Sequence, residues 1–164
     1  MTVTPSYFAE NALGIDLWPE NAKALDNAFA KNAPACIQWV GKRRSGLTLK
    51  CCIAALYAVF HLSVQSKERP FRVVMLSSNP RATQQALRYL LLGTWLDDEV
   101  CKDSQMEVCF SHDAVIHFMR PSQGMCGMTI SCLIEEDVLI HESQMYRLAA
   151  LSKRITAFNE EILK

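Results

Sequence analysis

Residues 34–92 alternate short apolar runs with long helical segments, and this alternation restricts the fold more than any other feature of the sequence. "ACIQWV" and "PFRVVMLSS" are apolar runs next to Pro or Gly, as in buried strands. Residues 47–65 are nearly all apolar, with no Gly or Pro, and "NPRATQQALRYLLLGTW" begins with Asn79 as N-cap and Pro80 in the first turn. Strand, helix, strand, helix predicts parallel strands with right-handed crossovers. We therefore expect an α/β fold with a mostly parallel central sheet flanked by helices on both faces.

The rest of the chain extends this pattern. After a polar opening, "PENAKALDNAFAKN" predicts a helix over about residues 19–31. "DDEVCKDS" is typical of a polar loop, "QMEVCF" and "AVIHFM" of a hairpin or two short strands, and "MTISCLI" of a third buried strand. A helical pattern then runs from residue 141 to the end. At 164 residues the chain predicts a single domain over 1–164.

Composition excludes several classes of protein. The 17 basic and 17 acidic side chains balance, so no global field attracts nucleic acid. Seven cysteines, mostly in apolar runs and without C-x-x-C spacing, indicate reduced thiols packed as small hydrophobic groups. No secretory signal is seen, and the longest mostly apolar window, "CCIAALYAVFHLSV", is short for a membrane span. We expect an intracellular protein that is neither secreted nor inserted in a membrane.

A glycine-bounded loop, "GKRRSGLT", joins the first predicted strand to the long helix. Gly41, Gly46 and Thr48 fit the phosphate-binding pattern G-x-x-x-x-G-K-[ST], but Leu47 stands where the pattern has lysine. Loop amides and a helix N-terminus converge on an anion in this context, and a Thr hydroxyl suits magnesium. The missing charge has three candidate sources inside the loop, which are Lys42, Arg43 and Arg44. The alternative is a chance match with a solvated basic turn.

Three acidic residues, Glu135, Glu136 and Asp137, follow the third buried strand. The carboxyl ends of parallel strands meet at one edge of an open α/β sheet, where ligands bind. A triphosphate hydrolase needs acids there to hold magnesium and to orient the attacking water. The alternative is a solvated acidic turn before the next helix. Because loop and acids occur together, we favour a nucleotide site.

The ordered motifs resemble the ATPase domain of viral large terminases, the DNA-packaging motors of tailed phages and herpesviruses. The resemblance runs from about residue 17 to residue 151. "LWPENAKALDNAF" is similar to the family's adenine-reading segment, and "CIQWVGKRRSGLT" to its strand and arginine-rich phosphate loop. "RVVMLSSNPRATQQALRYL" looks like the next strand and helix, and "PSQGMCGMTISCLIEED" like the glycine-containing loop and acidic strand end.

The resemblance implies a P-loop NTPase fold and ATP hydrolysis that drives double-stranded DNA into a capsid. Lys42 or Arg43 would replace the missing lysine, Thr48 and Glu135 would share Mg²⁺, and Glu136 would polarise the attacking water. Asn21 would take the adenine-reading position. The predicted nucleotide-binding residues are Asn21, Gly41, Lys42, Arg43, Arg44, Ser45, Gly46, Leu47 and Thr48.

The resemblance also implies partners and a location. The partners are double-stranded DNA, a portal and a small terminase subunit. The chain would be a monomer in solution and would form a homo-oligomeric ring on the capsid. It would reside in the infected host cell, in the bacterial cytoplasm or the host nucleus. The family's coupling motif and C-terminal nuclease domain are not seen in the sequence. Two alternatives stay open: a catalytically degenerate module that binds DNA or an assembly partner, and a helicase-like P-loop protein.

Overall fold

A mixed sheet organises the part of the chain that the computed structural model describes, which is residues 3–30, 36–39, 46–121 and 128–138. Its strands are β1 (Cys36–Trp39), β2 (Phe71–Ser77), β3 (Val100–Asp103), β4 (Glu107–Phe110), β5 (Ala114–Met119) and β6 (Cys132–Glu136). They lie in the order β1-β6-β2-β5-β4-β3. The first four in this order are parallel, and β4 and β3 continue the sheet antiparallel. The predicted α/β fold with a mostly parallel sheet is confirmed.

The helices begin where the local sequence favours helix starts. They are α1 (Pro5–Leu13), α2 (Pro19–Phe29), α3 (Leu47–Tyr57), α4 (Ser63–Gln65) and α5 (Pro80–Leu91), with a π-helical turn at Ala58–Leu62 and a 3-10 helix at Trp95–Glu99. The side chain of Asn79 caps α5 by accepting a hydrogen bond from the Ala82 N–H, and Pro80 follows it in the first turn. The sequence predicted this cap correctly.

The helical segment Leu47–Gln65 forms the centre of the helical layer, as its apolar sequence predicts. It joins α3, the π-helical turn and α4 and contacts β2, β5 and β6. With 19 residues and a mean hydropathy of 1.7 it is long and apolar enough to cross a membrane by length and composition alone, but 61% of that window is buried inside the protein. Core helices of soluble proteins pass the same test, so this helix is weak evidence for a membrane span.

Alternation along the strands divides the buried residues between the two faces of the sheet. One face packs against the helical layer through residues such as Val73, Ile116 and Ile134. The other face carries a smaller apolar cluster, including Val74 and Leu133. Among the described residues, the helices that contact the strands contribute to the first cluster. The helix predicted over residues 141–164 lies outside the described residues, so helices on both faces stay a prediction.

Two elements differ from the sequence-based expectation. The polar opening contains α1, which starts at a Thr4 N-cap followed by Pro5 and ends at Gly14 with φ +66°. "DDEVCKDS" is not a loop, because it ends the 3-10 helix and forms β3, which pairs antiparallel with β4. Its exposed, polar residues give no buried-strand pattern, so pairing with a neighbouring strand decides its conformation.

His117 on β5 is expected to make the stability of the fold depend on pH. Its Nδ1 lies 3.6 Å from the Glu107 carboxylate, and its Nε2 is buried without a hydrogen-bond partner within the described ranges. Burial lowers the pKa of His117, the nearby Glu107 carboxylate partly offsets this, and Arg72 lowers the pKa further. The unfolded chain therefore binds the proton more readily. Stability should be full above the ordinary histidine pKa of about 6.5 and fall as the pH drops below it.

We expect His117→Gln to reduce the loss of melting temperature between about pH 7.5 and about pH 5.5, a range that spans the ordinary histidine pKa. Differential scanning calorimetry at both pH values measures this. The control is His61→Gln, because the His61 ring bonds the exposed Gln65 side chain. An acid-induced loss that is identical in wild type and His117→Gln would contradict the assignment.

Candidate functional site

Three parallel strands end side by side at one edge of the sheet. Glu136, at the end of β6, pairs in register with Trp39 of β1 and with Ser77 of β2. The Asp137 N–H donates to the Trp39 carbonyl at 2.9 Å, which holds the turn after β6 against the end of β1. This edge is where open α/β sheets bind ligands.

The half-buried Glu136 carboxylate lies between the first turns of two helices. The Thr48 hydroxyl of α3 donates to Oε1 in a short hydrogen bond, and the Thr83 hydroxyl of α5 donates to Oε2 at 2.8 Å. Both threonines must be the donors, because an ionised carboxylate only accepts hydrogen bonds. The structure thus brings together two site residues that the sequence singled out, Thr48 and Glu136, which are 88 residues apart.

Further polar groups lie behind Thr83. Its hydroxyl lies 3.0 Å from the Ser77 hydroxyl, and the Asn79 N–H donates to Ser77 Oγ at 3.1 Å. Thr83 and Ser77 are both buried. Sequence reasoning missed these two residues. The sequence signal for Thr83 was its position four residues after the Asn79 N-cap, in the polar first turn of the helix. The structure shows that Thr83 is buried there.

The sequence predicts that Thr48 shares an ion with Glu135, but the structure pairs Thr48 with Glu136. Glu135 belongs to the strand itself and is fully buried, in register with Gln38 and Leu76. Because successive side chains of a strand point to opposite faces, Glu135 lies on the face away from α3 and α5. The acid that contacts Thr48 is therefore Glu136, one residue after the predicted Glu135.

Gly46 begins α3 in a left-handed conformation, with φ +71°. A Cβ placed on Gly46 would lie 3.0 Å from Nδ2 of Asn21 on α2. The structure therefore brings together three predicted nucleotide-binding residues at the start of α3: Asn21, Gly46 and Thr48. The other predicted loop residues, Gly41, Lys42, Arg43, Arg44 and Ser45, lie outside the described residues.

Gly46→Ala tests this close approach. The left-handed backbone should cost the variant about 1–2 kcal/mol of stability, and its new methyl group should also displace Asn21. Gly14→Ala is the matched control, because Gly14 has φ +66° and no atom within 4 Å of its added Cβ. We expect both variants to be less stable in urea denaturation, and only Gly46→Ala to bind ATP more weakly. Equal ATP affinity in both variants would contradict a binding role for this contact.

Leu47 and Lys50 show how the first turn of α3 uses its other side chains. Leu47, at the position of the missing lysine, is half-buried and packs against the main core. The Lys50 ammonium lies over the Trp39 ring, 5.8 Å from its centroid. This cation–π contact places a positive charge near the end of β1. Sequence reasoning did not single out Lys50.

Two thiols under the site remain protonated. Burial, and next the negative charge of Glu136, raise the pKa values of the Cys51 and Cys52 thiols. Since the thiolate is the reactive form, neither cysteine is suited to act as a nucleophile. Their role is packing, as their apolar sequence context predicts.

The oxygen atoms of Thr48 and Glu136 fit a magnesium ion better than a transition metal. No group of three or more His, Cys, Asp or Glu side chains able to hold a metal occurs in the described part of the chain. Magnesium needs fewer protein ligands, because it keeps several waters and binds through one or two carboxylates together with substrate phosphates. One hydroxyl and one carboxylate in contact match that requirement.

The comparisons with known proteins identify no relative: no family model, no curated protein and no solved structure matches the chain.

Proposed function

We propose that this chain is a P-loop type ATPase domain that binds ATP and Mg²⁺ between the start of α3 and the end of β6. The Thr48–Glu136 contact carries this proposal, because it joins the hydroxyl of the glycine-bounded loop to an acid at the carboxyl end of a parallel strand. The left-handed Gly46 and the neighbouring Asn21 support it.

The phosphates would bind at the N-terminus of α3, where free backbone N–H groups and the helix dipole favour an anion. Lys42 or Arg43 would supply the positive charge that Leu47 lacks. Thr48 and Glu136 would hold Mg²⁺, which neutralises charge on the β- and γ-phosphates when bound. This proposal moves the metal-side role from Glu135 to Glu136, because Glu136 is the acid that meets Thr48.

Asp137 would orient the attacking water, the role that the sequence assigned to Glu136. Asp137 is exposed and directly follows the strand, so its carboxylate is open to a substrate at this edge. The water oxygen forms a bond to the γ-phosphorus while the bond from that phosphorus to the bridging oxygen of ADP breaks. The products are ADP and inorganic phosphate, and the proton released from water passes to Asp137 or to a phosphate oxygen.

The biological setting that we propose is a terminase-type motor that packages double-stranded DNA into a capsid. It rests on the order of the motifs along the sequence, from the segment at Asn21 through the basic loop to the acidic end of β6. The portal, the small terminase subunit and neighbouring copies of this chain are the partners that this setting implies. A motor domain of this kind would turn over slowly by itself, because neighbouring subunits complete the site.

A thermal-shift assay tests nucleotide binding directly. At an ATP concentration about 100 times Kd, with millimolar Mg²⁺, binding should stabilise the fold by about 2.7 kcal/mol, which raises Tm by about 5–10 °C for a chain of this size. A non-hydrolysable ATP analogue should give the same rise. No rise with either ligand would refute the proposal.

A second candidate function is a nucleotide-binding module that does not hydrolyse ATP. The observation that favours it is that the position of the loop's lysine holds Leu47, which packs against the core and carries no charge. This candidate predicts the same thermal shift as an active ATPase but no release of phosphate, even with DNA and portal present. A phosphate-release assay on the same sample separates the two functions.

A further inference from the structure

We infer that Thr83 is a positioning residue. By holding Oε2 of Glu136, it keeps the carboxylate in the orientation in which Oε1 contacts Thr48 and would contact the magnesium ion. This inference rests on the proposed function. Its basis is the arrangement of the two threonines: Thr83 donates to Oε2 at 2.8 Å while Thr48 donates to Oε1. Terminal torsions of Glu side chains are broad and are not fixed by rotamer preference alone. A hydrogen bond to each oxygen therefore determines how this carboxylate is turned.

The groups behind Thr83 make it a directed donor. A hydroxyl has one proton to give, and the negative carboxylate at 2.8 Å is a stronger acceptor than the neutral Asn79 carbonyl at 3.2 Å. The Ser77 hydroxyl, 3.0 Å away, is likewise a neutral and therefore weaker acceptor for this proton, and it also accepts from the Asn79 N–H. The charged acceptor therefore directs the Thr83 proton to Glu136.

Burial prevents water from taking over this role. Thr83 is 2% exposed and Ser77 4% exposed, so no bulk solvent replaces either hydroxyl. Without the Thr83 hydroxyl, Oε2 of Glu136 loses its donor from α5, and the carboxylate can turn toward another partner. We therefore expect the carboxylate to lose its orientation, and with it part of its affinity for magnesium, when the Thr83 hydroxyl is removed.

Helix α5 has other anchors, so Thr83 can be changed without releasing the helix. Arg88 bonds Asp97 at 2.8 Å and Asp103 at 2.7 Å, and Gln84 donates to Asp103 at 2.8 Å. Leu87 and Leu91 are fully buried on the same helix. Thr83→Val keeps the shape of the side chain and removes only the hydroxyl.

The experiment compares Thr83→Val, Thr83→Ser and wild type by two measurements. One is the Mg²⁺ concentration that gives half of the Tm rise with a non-hydrolysable ATP analogue, and the other is the Mg²⁺ dependence of phosphate release. Loss of a group that orients a metal ligand typically weakens metal affinity or activity by about 10- to 100-fold. We expect the Mg²⁺ dependence of Thr83→Val to shift by a factor of that size and that of Thr83→Ser to return to the wild-type value. In EDTA, the three proteins should bind the analogue with equal affinity.

Thr94→Val is the matched control. Thr94 follows α5, and its hydroxyl donates to the carbonyl of Leu91, the last residue of that helix, at 2.7 Å, so this variant loses a threonine hydrogen bond to the same helix away from Glu136. Its Mg²⁺ dependence should equal that of wild type. Thr83→Ala, which also removes the hydroxyl, should shift the Mg²⁺ dependence in the same direction, and it serves as the test if Thr83→Val does not fold.

The outcomes separate the inference from the proposed function. If wild type binds the analogue with Mg²⁺ and neither Thr83→Val nor Thr83→Ala changes the Mg²⁺ dependence, the positioning role is wrong and the proposed function stands. An equal shift in Thr94→Val would likewise overturn the positioning role. If wild type shows no nucleotide-dependent stabilisation, the proposed function fails and this inference fails with it.

Discussion

Replacing Glu136 with Gln is expected to lower ATP turnover at least about 100-fold while ATP still binds. The Gln side chain is neutral and has a single acceptor oxygen, so it cannot accept from both Thr48 and Thr83 as the carboxylate does. Several kcal/mol of transition-state charge stabilisation come from a correctly held metal ion, and about 2.7 kcal/mol already corresponds to a factor of about 100. Phosphate release at saturating ATP and the thermal shift with ATP measure the two effects separately.

Glu135→Gln is the control for this variant, because it makes the same chemical change one residue earlier. Glu135 lies on the other face of the sheet and is fully buried, so its replacement should affect stability more than turnover. Turnover that is lost in a folded Glu135→Gln protein and kept in Glu136→Gln would return the metal role to Glu135 and contradict the pairing with Thr48.

Removing the charges of Lys42 and Arg43 together is expected to weaken ATP binding by about 10- to 100-fold. Hydrogen bonds to charged groups contribute about 1.5–3 kcal/mol, and each 1.4 kcal/mol is a factor of about ten in affinity. With Leu47 packed against the core, the lysine position of the loop has no cation, so in the proposed site the phosphates would depend on Lys42 and Arg43. Isothermal titration of the Lys42→Ala and Arg43→Ala double variant with an ATP analogue measures the loss.

Two further double variants control for charge and position. Lys42→Arg with Arg43→Lys keeps both charges and should bind nearly as wild type does. Lys23→Ala with Lys67→Ala removes the same net charge at two exposed positions and should leave ATP affinity unchanged. If the Lys42 and Arg43 charges can be removed without effect, the phosphates have another cation, and Arg44 and Lys50 are the next residues to test.

Elements whose signals are local could be predicted from the sequence. The cap formed by Asn79, the proline that follows it, and the uninterrupted apolar pattern of residues 47–65 each lie within a few turns of chain. Such patterns predict an element without knowledge of the fold. Of the two interpretations of "QMEVCF" and "AVIHFM", a hairpin or two short strands, the structure has the hairpin, because β4 pairs antiparallel with β5.

Elements that depend on distant partners were missed. β3 is short and polar, so its sequence resembles a loop, and it becomes a strand only because it pairs with β4. The first helix was overlooked in a polar opening, although Thr4 and Pro5 formed a local start signal that could have been recognised.

The acid that contacts Thr48 was predicted to within one residue, and the reason is physical. Which acid faces Thr48 depends on the alternation of β6, and the sequence did not reveal that the strand continues through Glu136. Had the strand ended before Glu135, both acids would follow it in a turn. The position of Thr83 after the Asn79 N-cap is a local signal, but it does not identify Glu136, 53 residues away, as the partner.

Among the described strands, β3 lies at one end of the sheet, where its outer edge faces other molecules during self-association. Strands with unpaired edges are templates for intermolecular β-sheet growth, and natural proteins protect them with short length, charge and irregular pairing. β3 has four residues, carries Lys102 and Asp103, and shifts register against β4 between Val100 and Lys102. This end of the sheet is therefore protected against aggregation, and we expect any ordered assembly of copies of the chain to use other surfaces.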